Sequence, residues 1–174
     1  MFTIGHSTKS KEVFLQLLEA HHIEILVDIR RLPGSSRFPQ FNSDRLKRAL
    51  QRRGIRYLYF PDLGGRRPAK KDSKNLGWRV AAFRGYADYM ETESFKKSLE
   101  RLILLAKKKR TVVMCAEALP WRCHRRLVAD AVVARGLPVF DIMTPTRATP
   151  HELPPWARLR LGRLSYPGAP WSRV

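Results

Sequence analysis

Short β-type apolar runs alternate along this chain with apolar stripes at helical spacing, and that alternation leaves few folds open. Phe2-Thr3-Ile4 opens a first strand, and Val13, Phe14, Leu17 and Leu18 follow as one helical face. Ile25-Leu26-Val27-Asp28-Ile29 has the β-branched density of a buried strand. Leu46, Ala49 and Leu50 make the next stripe, Gly54 stops that helix, and Ile55 to Phe60 reads as a third strand. Tyr86 to Met90 and then Phe95, Leu99, Leu102, Ile103 and Ala106 are helical. Thr111-Val112-Val113-Met114 is the fourth strand. Leu127, Val128, Ala131 and Val132 form another helical stripe, capped by Gly136, and Pro138 to Ile142 is the fifth strand. Strands alternating with helices predict a single compact α/β domain over residues 1–143: a mostly parallel five-stranded sheet with helices on both faces. Periodicity does not give the strand order.

Two stretches stand outside the alternation. Pro61 to Asn75 is basic and rich in Gly and Pro, which reads as a loop. Residues 144–174 hold six prolines, five arginines and a single acidic residue, Glu152, which reads as a basic tail with little regular structure. Trp156, Leu159 and Leu161 are the residues of that tail able to pack back on the domain.

Charge narrows the partners. Lys and Arg number 34 against 15 Asp and Glu, a net charge of +19, and 23 of the 34 are Arg. Arginine makes forked contacts to phosphate, so nucleic acid, DNA or RNA, is the expected partner. A 28% charged and 44% hydrophobic chain is globular rather than disordered. Its apolar runs are far shorter than the ~20 residues of a membrane helix, so no membrane partner is expected. The Met1–His6 start lacks the basic and apolar regions of a signal peptide. With only Cys115 and Cys123, a disulfide scaffold is excluded and a reducing cytoplasm is the expected location.

In an open parallel sheet, ligands bind beyond the carboxyl ends of the strands. The chemically richest segments follow strands here: Gly5-His6-Ser7, Asp28-Ile29-Arg30-Arg31 running to Ser35-Ser36, Leu63-Gly64-Gly65-Arg66, and Cys115-Ala116-Glu117 through Arg122-Cys123-His124-Arg125. Cys115 at a strand end, ahead of a helix N-terminus and near Arg122 and Arg125, is placed for an activated thiol, and the alternative is a buried small hydrophobe. His6 or His124 would carry a proton, and Asp28 or Glu117 would orient it. Asp28 and Arg30 could equally pair with each other. Ser35, Ser36, Gly64, Gly65 and Arg66 would join Arg30, Arg122 and Arg125 in holding phosphate. Ser7 or Thr8 would otherwise cap the first helix, and Ser35-Ser36 would otherwise be an ordinary turn. Trp78, Tyr86 and Tyr89, interleaved with Arg79 and Arg84, suit base stacking or helix packing.

Two kinds of metal site are conceivable. Asp28 and Glu117 beside a basic cleft could hold a divalent ion for phosphodiester cleavage. Cys115, Cys123, His6 and His124 have the residue types zinc prefers, although Cys-x7-Cys-His is not a tight zinc knuckle. The Cys115 loop is similar to those of cysteine phosphatases and rhodaneses, but six residues separate Cys115 from Arg122 where the phosphatase loop has five.

Taken together, these segments resemble the domain-of-unknown-function 488 family over residues 2–143. Thr3-Ile4-Gly5-His6-Ser7, Leu26-Val27-Asp28-Ile29-Arg30, Pro39-Gln40-Phe41 and Gly54-Ile55-Arg56-Tyr57 carry the match in its first half. Leu63-Gly64-Gly65, Phe83 to Met90 and Met114-Cys115-Ala116-Glu117 through Cys123-His124-Arg125 carry it in the second. The resemblance implies an α/β domain with a cysteine-containing site and supplies no reaction. The function expected is an enzyme acting on nucleic acid or another phosphorylated substrate, in DNA processing or repair. The alternatives are a nucleic-acid-binding module without turnover and a rhodanese-like sulfur-transfer enzyme.

Overall fold

The computed structural model describes residues 1–160 and 162–168. Six strands form one sheet in the order β3-β2-β4-β1-β5-β6. They are β1 (Phe2–Gly5), β2 (Ile25–Asp28), β3 (Arg56–Tyr59), β4 (Thr111–Cys115), β5 (Phe140–Thr144) and β6 (Arg147–Pro150). The first five run parallel, as the alternation predicts, and β6 returns antiparallel on β5.

The period-two alternation of the strands divides the core. Leu26, Val112 and Met114 face a cluster built with Phe14, Leu17 and Leu18 of α1 (Lys11–Ala20) and Leu46 and Leu50 of α2 (Ser43–Gln51). Val27, Val113 and Cys115 face the opposite cluster. That cluster is completed by α3 (Ala81–Tyr89), α4 (Glu93–Lys108) and α5 (Arg125–Val133). Each fully buried Leu or Phe in these layers contributes about 1.5–3 kcal/mol. Ser10, not Ser7 or Thr8, caps α1: its hydroxyl accepts from the Val13 amide at 3.2 Å.

Helices on one face connect β1, β2 and β3, and helices on the other connect β3, β4 and β5. The chain leaving β4 therefore departs to the opposite face from the chains leaving its neighbours β1 and β2. Such a divergence opens a crevice at the carboxyl edge. Cys115 ends β4 there, between Gly5 of β1 and the end of β2.

The tail is more ordered than its composition suggests. After β6, the strands β7 (Arg158–Arg160) and β8 (Arg163–Ser165) form a hairpin. Tyr166 is buried against Trp78, and Trp156 packs edge-on against the same ring. Leu159 is exposed, and Leu161 lies outside the described residues. Proline masks the strand character of β6: Pro150 ends an edge strand, where a missing N–H costs nothing. Trp78 and Tyr86 are core residues, so they are not a stacking platform, and Arg67 covers the Tyr89 ring at 3.6 Å. The 61–75 loop is pinned by buried Asp88, which accepts from the Lys70 amide, the Ser73 hydroxyl and the Asn75 amide group.

Candidate functional site

Three polar atoms meet at the end of β4. His124 Nδ1 lies 3.7 Å from Cys115 Sγ and 3.7 Å from Cys123 Sγ. The three lie within 4.8 Å of one another. The Nε2–H of His124 is donated to the Ile29 carbonyl at 3.3 Å, which leaves the Nδ1 lone pair directed at the sulfurs. Both thiols are free and buried. The Cys123 thiol, donating to Cys115, holds the Cys115 thiol down to about 7 against the opposing effect of burial. The Glu117 amide, the Arg125 charge and the Ala116 amide act in the same direction. Cys123 is pushed up, by that same hydrogen bond and by burial.

The cluster is held from several sides. A turn at Pro120–Arg122 presents Cys123, and the Arg125 amide donates to Cys123 Sγ at 3.5 Å. Buried Arg125 reaches back to the carbonyls of Glu117 and Ala118, closing the loop onto the helix it precedes. A side chain on Gly5 would overlap the Glu117 carbonyl, so β1 must end in glycine for this loop to close. Gly65 packs on the imidazole: a Cβ there would stand 2.8 Å from His124 Nδ1.

The cluster opens into a cleft of about 190 Å³. Arg30, Arg31 and Leu32 line it from the end of β2, Gly65 and Arg66 from the loop after β3, and Cys115, Ala116 and His124 from β4 onward. Arg30 is committed inside the protein. It pairs with Asp28 through Nε at 2.9 Å and through NH2 at 2.6 Å, and donates to the Phe41 carbonyl at 2.8 Å. Tyr57 donates to the same Asp28 carboxylate. Arg31 and Arg66 are exposed, and among the described residues neither has a carboxylate partner.

The other expected residues are placed elsewhere. His6 is stacked on Phe41 at 4.2 Å, with Nδ1–H on the Ser7 carbonyl and Nε2 accepting from Arg30. Burial lowers its pKa to about 4, the Ser7 carbonyl opposes this and the Arg30 charge adds to it, so the ring is neutral. Both His6 nitrogens are thus engaged, and His6 is not grouped with the thiols. The Glu117 carboxylate is exposed on its loop, accepting from the Ala118 amide. Asp28 and Glu117 therefore do not form a carboxylate pair at the cleft. Ser35 is used in a turn, its hydroxyl accepting from the Phe38 amide, and Ser36 and Arg122 are exposed off the cleft wall. Gly64 is buried, with its carbonyl accepting from Arg67.

Sequence reasoning passed over Arg31 and the Ile29 carbonyl. Arg31 had a signal, since it directly follows Arg30 at a strand end. A backbone carbonyl has none. A larger cavity, about 530 Å³, lies against β5 and β6 beside Trp121, Arg126 and His151. Neither thiol lines it, and no group on its wall matches the Cys115–Cys123–His124 convergence.

Fold and site define a parallel α/β domain with a thiol–imidazole cluster at the carboxyl edge of its sheet. The family model described as Domain of unknown function DUF488 matches residues 10–132, and the chain belongs to that family. No curated protein and no solved structure matches it. The matched segment runs from α1 into α5 and contains Cys115, Cys123 and His124, but not His6.

Proposed function

We propose that the protein is an enzyme acting on a phosphorylated substrate, nucleic acid being the class its charge favours, with the reacting centre at Cys115 and His124. One observation carries this reading. The cleft wall formed by Cys115 and His124 also presents Arg31 and Arg66, two guanidinium groups with no acidic partner among the described residues. A phosphate drawn to those arginines is brought to the thiol–imidazole cluster. Arg30, locked to Asp28, is a neutralised and immobile part of the wall, which leaves Arg31 and Arg66 as its free charges among the described residues. A net charge of +19 raises the rate at which a polyanion is encountered.

The test is a panel of single- and double-stranded DNA and RNA, assayed in parallel for binding and for product. Wild type should form a product that Cys115→Ala does not. Arg31→Ala with Arg66→Ala should weaken binding and lower the salt slope by about 0.7–0.9 per lost phosphate contact. Salt-dependent binding without product, equal in wild type and Cys115→Ala, would replace the enzyme by a binding module. A persulfide on Cys115 after thiosulfate treatment, with no phosphoester product, would replace it by sulfur transfer.

A further inference from the structure

We infer that Cys115, Cys123 and His124 form a zinc site with three protein ligands and a fourth position open to the arginine-lined cleft. The inference rests on the reading above for its substrate, and on geometry alone for the metal.

Zinc bound at about 2.3 Å to sulfur and about 2.0–2.1 Å to nitrogen in a tetrahedron sets S and N about 3.6 Å apart, and two sulfurs about 3.8 Å apart. Both S–N separations here are 3.7 Å, and all three donor atoms fall within 4.8 Å. One imidazole nitrogen equidistant from two sulfurs is not the arrangement of a single thiol–base pair, in which the nitrogen would favour one partner. The outer groups agree. A metal-binding histidine characteristically donates its other N–H to a carbonyl or carboxylate, and His124 Nε2 donates to Ile29. The Arg125 amide donates to Cys123 Sγ, as ligand thiolates commonly receive.

The donor set selects the metal. Two thiolates and an imidazole suit zinc and are poor ligands for magnesium or calcium, which take oxygen. His6 is not a fourth ligand, because both its ring nitrogens are bonded elsewhere. Cys115 and His124 lie on the cleft wall while Cys123 is behind them, so the fourth position faces Arg31 and Arg66. Three protein ligands with one open position is the pattern of catalytic rather than structural zinc. A water held there would hydrolyse a phosphoester: its oxygen bonds to phosphorus, the phosphorus–oxygen bond to the leaving group breaks, and its proton passes to the departing oxygen.

The experiment measures metal, not activity. Full-length protein purified without chelator is reduced, loaded with zinc chloride, dialysed and analysed for zinc by mass spectrometry. One zinc per chain is expected, with both thiols shielded from a disulfide reagent until chelator is added. Cys123→Ala and His124→Ala should lose the zinc, while Cys115→His, which replaces one zinc ligand by another, should retain it. Cobalt loading should give a sulfur-to-metal charge-transfer band in wild type that is lost in Cys123→Ala. Circular dichroism of each variant shows whether it is folded. Reduced, folded wild type that binds no zinc, or zinc that persists in Cys123→Ala, overturns the site. Stoichiometric zinc with no product on any nucleic acid keeps the site and removes the proposed reaction. Product that forms without zinc and survives chelation keeps the reaction and overturns the zinc-held water as its nucleophile.

Discussion

Raising the pH should loosen the C-terminal segment through one residue, His151. Its Nε2 lies 2.7 Å from Asp130 of α5, and its Nδ1 lies 3.3 Å from Asp141 of β5. Tyr166 donates to the other oxygen of Asp130, and Thr3 donates to Asp141. Burial alone would lower the pKa of this imidazole, but hydrogen bonds and charge from the two carboxylates overcome it and raise the value to about 9. Arg126, Arg147 and Glu152, which share the adjoining cavity wall, are the other charges nearby. The displacement from the ordinary 6.5, at about 1.36 kcal/mol per tenfold change in proton affinity, corresponds to about 3 kcal/mol. The folded-state pKa is the higher one, so this stability is complete below about pH 6.5 and is lost as pH rises through 9. Urea unfolding of wild type and His151→Gln at pH 6 and pH 10 measures it. The variant is weaker at every pH, because it leaves two carboxylates facing each other. The difference between the two profiles isolates the imidazole. Wild type should lose about 3 kcal/mol more than the variant, a midpoint change of about 1–3 M urea. Parallel profiles would refute the reasoning and place the charge of His151 outside the folding equilibrium.

Two further outcomes follow from the cleft itself. Asp28→Asn strands the Arg30 charge in the core and should cost about 3–5 kcal/mol. Thermal melting should fall by about 10 °C, and an unchanged melt would mean that the pair contributes nothing. Gly65→Ala forces its methyl group against His124 and should weaken zinc binding by about 10–100-fold, the usual effect of disturbing a ligand's support, at a stability cost of about 1–3 kcal/mol. Zinc titration and urea unfolding of the same variant read the two effects. Unaltered zinc affinity would show that the ring position is not set by Gly65.

Much of the architecture is legible in the residues. The runs Ile25–Ile29 and Thr111–Met114 announce buried parallel strands because both faces of such a strand are covered. The stripes in α1, α2, α4 and α5 announce helices because every third or fourth residue must meet that sheet. The site is partly legible for a related reason: a parallel sheet exposes its strand ends on one edge, so the residues after β1, β2, β3 and β4 had to be neighbours. The tail was less legible, because the strand character of β6 to β8 lies in three- and four-residue pieces between prolines. Its anchor is His151 against Asp130, a contact between residues of no special local pattern.

What the chain alone determined is thus the class of fold, the edge where chemistry gathers and its own cationic character, since each depends on local periodicity or total charge. Only the tertiary structure decided which of the gathered residues act together. Asp28 and Arg30 neutralise one another, His6 is bonded at both nitrogens, and the Glu117 carboxylate remains in solvent. Cys115, Cys123 and His124 converge because the Arg125 side chain folds the 116–124 loop back on its helix, while Gly65 and the Ile29 carbonyl orient the ring. Those contacts depend on strand order and on the path of three separate loops. Residue spacing contains neither, because a side chain's partner in space is set by packing across the sheet rather than by its distance along the chain.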